Sequence, residues 1–178
     1  MKLTLRLTAA MCGAFTLCAV AKDIEDATPT PAPLLSTDIS GSDLSFLTSA
    51  AHDIALLAKI SELASKHATT SEVQAEAATV LKEQTDAMAA LQKLAAGYHV
   101  PLDTELYGDD LRLVKSLDAD KGLKFDKAYL DAQADADHAL QAILTAGASS
   151  SDAGIKAFAH EALTRLQAEQ DRVRKLGF

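Results

Sequence analysis

The sequence contains few of the residues that cross-link, interrupt or anchor a fold. Its 178 residues include no Trp, two Cys, four Pro and eight Gly, and aromatic residues make up 4% of the chain. Both cysteines, Cys12 and Cys18, lie near the amino terminus. Removal of that segment excludes a disulfide, a thiol nucleophile and a cysteine metal ligand. Strand signals are also nearly absent, so the composition favours helices that are stabilised by packing alone.

Residues 1–21 predict a secretory signal peptide. They begin with Lys2 and Arg6, continue through an apolar run and end on the small-x-small pattern Ala19-Val20-Ala21. The apolar run is shorter than the roughly 20 residues that a membrane span requires. We therefore expect cleavage near Ala21, a periplasmic or secreted location, and no transmembrane segment in the mature chain.

The expected mature chain is strongly acidic. The full sequence has 17 Lys plus Arg, and loss of Lys2 and Arg6 leaves 17 minus 2, or 15, against 25 Asp plus Glu, a formal charge of −10. Nucleic acids and anionic lipid surfaces are poor partners for such a chain. The acids are scattered, which is typical of a solvated surface.

Composition divides the mature chain into a tether and a domain. Residues 22–40 hold three of the four prolines and no sustained apolar period, which favours a disordered, extended tether. Residues 41–178 are rich in Ala and Leu and are long enough for one hydrophobic core. We expect a single helical domain there.

Four long helical patterns lie within this domain, where apolar residues recur every three or four positions. They cover about 43–67, 71–99, 123–146 and 151–173, and we expect Ser71 and Ser151 to cap two of the starts and Gly147 to form a left-handed end. The longer connection after the second pattern contains "DDLRLVKSL", which favours a short helix. The prediction is an all-α fold, a ferritin-like four-helix bundle with a short extra helix in the crossover between the second and third long helices. An up-down-up-down connection of the four helices is the alternative topology.

The first long helix is apolar on two sides. Leu47, Ile54 and Leu57 share one face, and a second stripe lies nearly opposite. Such a helix is buried on both sides within its own chain or meets a second subunit. The second possibility is a homodimer through Leu56, Ile60 and Leu63.

A spacing typical of carboxylate-bridged metal sites occurs once, at Asp135-x-x-His138. Placing residues 100° apart along the helix puts Asp131, Asp135 and His138 on its outer face, away from Phe125 and the rest of the apolar stripe. A di-iron site needs two such motifs and two further carboxylates that project inward. We therefore interpret these three residues as solvated surface.

Two polar residues fall on apolar stripes instead. Gln84 lies in the second long helix and Glu169 in the fourth. A buried amide or carboxylate is costly unless it is hydrogen-bonded, so each needs a partner. An interhelical hydrogen bond that fixes register is one interpretation, and a modified ligand site is the other.

Nucleophilic and cofactor chemistry have no sequence support. The serines lie in predicted caps and turns, and the chain has no Ser-x-x-Lys, Gly-x-Ser-x-Gly, Gly-x-Gly-x-x-Gly, P-loop or His-Glu-x-x-His motif. We expect neither an enzyme nor a bound cofactor.

The domain resembles a bacterial secreted family, domain of unknown function 4142, whose members are often labelled predicted outer membrane proteins and are thought of as ferritin-like bundles. The resemblance covers about residues 44–176. Its most specific segments are Phe125-Asp126-x-x-Tyr129 and Lys156-Ala157-Phe158-Ala159. It implies an envelope location and a helical bundle, and it implies little about activity.

Departures from the family pattern matter as much as the matches. The resemblance implies histidines at three positions where this chain has Gln84, Asp137 and Glu169, with His138 one step away from the family's position. Such a set is rich in oxygen and poor in imidazole, so it is a weak site for zinc, copper or iron. We expect no metal, and Gln84, Asp137 and Glu169, with His138 as a weaker candidate, are the alternative ligands.

Two functions remain as hypotheses. The first is a non-enzymatic periplasmic or envelope-associated helical bundle that acts in protein interaction or envelope stress. The alternative is a ferritin-like metal-binding protein with a degenerate, oxygen-rich core site.

Overall fold

The computed structural model describes residues 39–176, and this range forms five helices and no strand. The predicted signal peptide and the tether as far as residue 38 lie outside the described residues. The all-α prediction is confirmed. The helices are α1 (Gly41–His67), α2 (Ser71–Gly97), α3 (Gly108–Ala119), α4 (Leu123–Gly147) and α5 (Ala153–Arg174). Within the same range, no helix is both long enough and apolar enough to cross a membrane.

The four long helices pack around a shared core. α1 lies against α2 and α4, and α5 lies against the other sides of the same two helices. The fully buried side chains include Leu57 on α1, Val73 on α2, Tyr129 on α4 and Ile155 on α5. Each helix therefore buries one stripe in a common interior, as the three-to-four-residue period predicts.

Contacts at the helix ends fix the chain direction. The start of α1 meets the end of α4, where Ser150 donates to Asp43 at 2.7 Å. The other end of α1 meets the start of α4, where Asp126 accepts from Thr69. α1 and α4 are therefore antiparallel. The segment between α2 and α4 returns along α1, where α3 packs against α1 and α4. The ferritin-like arrangement itself stays a prediction.

Two buried aspartates tie each helical hairpin to the turn of the other. Asp126, fully buried at the start of α4, accepts from the backbone N–H of Thr69 at 2.7 Å and of Thr70 at 2.9 Å. It also accepts from the Thr70 hydroxyl. Asp43 accepts from Ser40 and Ser150 at the opposite end. Negative charge at a helix start is favourable, and these carboxylates also satisfy turn donors far away in sequence.

The two-sided α1 is buried within its own chain. Ile60 is fully buried, Leu56 is buried, and the half-buried Leu63 packs against the core. They belong to the same core as the first stripe, and α1 has α2, α3 and α4 as neighbours. The structure therefore does not support a homodimer through Leu56, Ile60 and Leu63, since Leu56 and Ile60 are already buried within the chain.

Three expected caps are wrong in detail. Gly147 ends α4 without a positive φ, and a Cβ there would lie 2.2 Å from the Phe46 ring, so close packing explains this glycine. Ser71 is the first residue of α2 rather than its cap, and Asp126 satisfies the preceding N–H groups. The side chain of Asp152, not Ser151, caps α5 by accepting from the Ile155 N–H.

Candidate functional site

Four polar side chains meet in the interior between α2, α4 and α5. We call them the core polar cluster: Gln84, Gln133, Asp137 and Glu169. Their exposed fractions are 5%, 0%, 3% and 1%. The helical period places Gln133 and Asp137 on one face of α4, four residues apart. All three positions that the family resemblance singled out are therefore buried, and Gln133 joins them.

Glu169 is the centre of this cluster. Its Oε2 accepts from the Gln84 amide at 3.2 Å, and its Oε1 accepts from the Gln133 amide at 2.7 Å. One carboxylate on α5 thus connects α2 to α4. This confirms the interpretation of Gln84 and Glu169 as an interhelical hydrogen bond.

The cluster also contains polar atoms without partners. Gln133 Oε1 and Asp137 Oδ1 are buried, and neither has a hydrogen-bond partner among the described residues. A buried carbonyl or carboxyl oxygen that loses its water contacts without a replacement costs about 1–3 kcal/mol. The core polar cluster is therefore incompletely satisfied.

Burial changes the acidity of both carboxyl groups. Desolvation raises the pKa of Asp137 to about 8, and the neighbouring Glu169 and Glu76 raise it as well. Desolvation also raises the pKa of Glu169 to about 7, although the Gln133 amide acts in the opposite direction. Both groups therefore favour the neutral acid more than an exposed carboxyl does.

The nearest positive charge is shared with other acids. Arg172, one turn beyond Glu169, donates from Nε to Glu76 at 3.0 Å and from its guanidinium to Glu83 at 2.6 Å. Both acceptors lie on α2. Arg172 therefore joins α5 to α2 at the edge of the cluster. Its positive charge is paired directly with the carboxylates of Glu76 and Glu83.

Sequence reasoning missed Gln133, Glu76 and Arg172. A weak signal existed for Gln133, which is four residues before Asp137, and for Arg172, which is three residues after Glu169. Residues at these spacings share a helix face. Nothing in the sequence alone shows that Arg172 pairs with acids 89 and 96 residues away.

The structure separates the sequence-predicted surface residues from the core. Asp131, Asp135 and His138 are exposed, as expected from the helical wheel. Asp131 accepts from Lys127 on the same helix at 2.8 Å. His138 lines a surface cleft of about 300 Å³ whose wall also includes Asp137. His138 and Asp137 thus share the wall of this cleft.

The geometry does not fit a metal ion. Within residues 39–176, no group of three or more His, Cys, Asp or Glu side chains is arranged to hold one. The Gln84 and Gln133 amides present N–H groups to Glu169, and N–H groups are not metal ligands. The alternative metal hypothesis thus gains no support from the positions of Gln84, Asp137, Glu169 and His138.

A long groove runs beside the cluster, between α1, α2 and the crossover. Its volume is about 710 Å³. Its walls are mostly apolar, with Leu81 and Met88 from α2 and Leu106 from the crossover. The buried residues that line it are Ile54, Gln84 and Val114. We call this feature the groove, and Gln84 belongs to both the groove and the core polar cluster.

Comparison with known proteins identifies the family. Residues 28–176 match the family model described as Domain of unknown function (DUF4142). The chain belongs to this family. The matched range of the DUF4142 chain includes the end of the predicted tether as well as all five helices. No curated protein and no solved structure matches the chain.

The structure gives physical roles to the family's most specific segment in this DUF4142 chain. Phe125 is buried and lies against His67, with ring centroids 6.1 Å apart. Asp126 holds the turn between α1 and α2. Tyr129 is fully buried, and its hydroxyl lies 3.2 Å from the Ser61 hydroxyl on α1. These residues hold α4 against α1 and the turn that follows it.

Proposed function

We propose that this DUF4142 protein is a non-enzymatic binding protein of the periplasm or cell envelope and that the groove is its binding surface. The groove carries the proposal. Its volume of about 710 Å³ lies within the roughly 300–1,000 Å³ of small-molecule sites. It also combines apolar walls with one buried polar side chain, which is the usual composition of such sites.

The absence of catalytic motifs in the sequence supports a binding role over catalysis. Several polar side chains around the groove are engaged in local contacts: Lys59 pairs with Glu62 at 3.0 Å, and Thr85 donates to the Leu81 carbonyl. Binding at the envelope would serve protein interaction or stress tolerance. The amino-terminal signal pattern supports the location.

We also assign a ferritin-like arrangement to the long helices. Two hairpins, α1–α2 and α4–α5, are joined by a crossover, and α1 neighbours α4 while α2 neighbours α5. One long crossover between two hairpins is the ferritin-like way to connect four helices. The crossover also forms one wall of the groove.

Binding is tested with a neutral fluorescent probe, N-phenyl-1-naphthylamine, titrated into the mature chain. We expect saturable binding of one probe per chain. Ala89→Phe should abolish it by filling the groove, because Ala89 lines the groove and is exposed. Ala78→Phe is the matched control, since Ala78 is exposed on the same helix outside the groove. Equal binding by both variants would contradict the proposal.

Location is tested by osmotic shock of cells that express the full chain. We expect release of a chain whose mass shows Lys22 as its first residue. A full-length chain that remains in the cytoplasm would contradict the periplasmic assignment.

A further inference from the structure

Gln84 differs from every other polar side chain that lines the groove because it is buried. Only 5% of it is exposed, whereas the other polar lining residues, such as Gln92 and Thr104, lie at the half-buried or exposed rim. A buried polar side chain needs a partner. Gln84 has one partner on the core side, Glu169.

The orientation of the Gln84 amide follows from that partner. The amide turns its NH2 group toward Glu169 and donates to the carboxyl oxygen Oε2 at 3.2 Å. The carbonyl oxygen Oε1 is the other polar atom of this amide. Among the described residues, no hydrogen bond reaches this oxygen, and the side chain forms part of the groove floor with Ile54 and Val114.

The groove offers no free positive charge for an anionic ligand. Lys59 at its rim is paired with Glu62, which also accepts from Lys66. Glu105 accepts from the Tyr107 hydroxyl. An anionic ligand would lose its hydration without gaining a free counter-ion, which is unfavourable in an apolar site. The Glu105 carboxylate lies at the exposed rim, where water screens its charge.

We propose that the groove binds a neutral amphipathic small molecule whose N–H or O–H group donates a hydrogen bond to Gln84 Oε1, with its apolar body against Leu81, Met88 and Leu106. This inference rests on the groove being the binding surface and specifies the ligand for it. Glu169 acts as a positioning residue, because it holds the amide with its acceptor toward the ligand. Gln84 is the specificity-determining residue.

The test compares two probes that differ in one donor hydrogen. N-phenyl-1-naphthylamine carries an N–H group, and N-methyl-N-phenyl-1-naphthylamine does not. We expect the first probe to bind the wild-type chain about tenfold more tightly. The factor reflects a buried carbonyl left unpaired by the methylated probe.

Two variants separate hydrogen bonding from shape. Gln84→Leu should remove the preference and leave both probes bound with similar affinity. Gln167→Leu, the same chemical change at an exposed position of α5 outside the groove, should retain it. Far-ultraviolet circular dichroism and a melting curve verify that each variant is folded. If Gln84→Leu does not fold, equal affinity of both probes for the wild-type chain still overturns the proposal.

The failure of this inference is distinct from failure of the proposed function. Equal affinity of both probes for wild type, or a preference that persists in Gln84→Leu, would overturn the donor requirement while the groove remains a binding surface. No binding of either probe would overturn both.

Discussion

Buried acids have two opposite roles in this chain. Asp126 is fully buried and accepts three hydrogen bonds, all from the turn between α1 and α2. Asp137 is also buried, yet its Oδ1 has no partner among the described residues. Three hydrogen bonds compensate the burial of the Asp126 carboxylate, which stabilises the fold. Burial of Asp137 instead destabilises it, and packing elsewhere must offset this loss.

Replacing Asp126 should therefore be severe. We expect Asp126→Ala to lower the free energy of unfolding by about 3 kcal/mol, because two backbone N–H groups and one hydroxyl lose a charged acceptor. Denaturant unfolding measures the change. Asp135→Ala, an exposed acid on the same helix, should change it by less than about 0.5 kcal/mol. Similar losses in both variants would contradict the role of Asp126.

Replacing Asp137 should raise the free energy of unfolding above neutral pH, whereas replacing Asp126 lowers it. Its folded pKa is raised from 3.8 to about 8, so the folded chain keeps a proton that the unfolded chain releases. This contribution to stability is fully present below about pH 4 and is lost progressively as the pH rises toward about 8.

Asp137→Asn removes this titration. We expect the variant to be more stable than wild type at about pH 8, by an amount on the order of a few kcal/mol, and less dependent on pH between about 4 and 8. Denaturant unfolding at several pH values measures both. Asp135→Asn is the exposed control. Parallel pH curves for wild type and Asp137→Asn would show that Asp137 is not a buried neutral acid.

Residue-level prediction from the sequence succeeded where a polar residue interrupts an apolar stripe. That signal identified Gln84 and Glu169, and the structure joins them directly. It failed for Gln133, because the helix angle of Gln133 lies between the apolar and polar faces and does not identify it as buried. Which way such a residue turns depends on the neighbouring helices, and these are known only from the fold.

At the scale of single helices, elements were easier to predict than their ends. α1, α2, α4 and α5 all lie where the apolar period placed them, and α3 includes the predicted "DDLRLVKSL". The caps were missed because their partners are distant in sequence. Asp126, for example, serves N–H groups that are 56 and 57 residues away.

Substitution of Gly147 tests how closely the end of α4 packs against Phe46 on α1. Gly147→Ala should place a methyl group against the Phe46 ring and lower the free energy of unfolding by about 1–3 kcal/mol. Gly97→Ala has open space around the new methyl group and should be neutral or slightly stabilising. Phe46→Leu should reduce the effect of Gly147→Ala in the double variant. Additive losses would show that the ring is not the cause.

At the scale of the whole molecule, α1 is the most enclosed of the long helices. Sequence alone could not decide whether its second stripe meets its own chain or another copy, because both possibilities bury the same residues. The fold decides it, since α2, α3 and α4 all pack against α1. The same packing opens the groove on the side where α1, α2 and the crossover meet.

Ile60→Glu tests this enclosure. We expect a loss of about 3–5 kcal/mol in the free energy of unfolding, since a carboxylate would enter a fully buried position. Leu44→Glu, at an exposed position of the same helix, should have little effect. Thermal melting and light scattering measure stability and mass together. A folded Ile60→Glu chain at half the wild-type mass would instead indicate a dimer interface.

The most direct test of the central claim is nuclear magnetic resonance of the isotope-labelled mature chain during titration with N-phenyl-1-naphthylamine. The account predicts that the side-chain amide of Gln84 and the methyl groups of Ile54, Leu81 and Val114 shift together and saturate at one probe per chain. Shifts confined to the cleft around His138, or no shift at Gln84 while the probe binds, would contradict it.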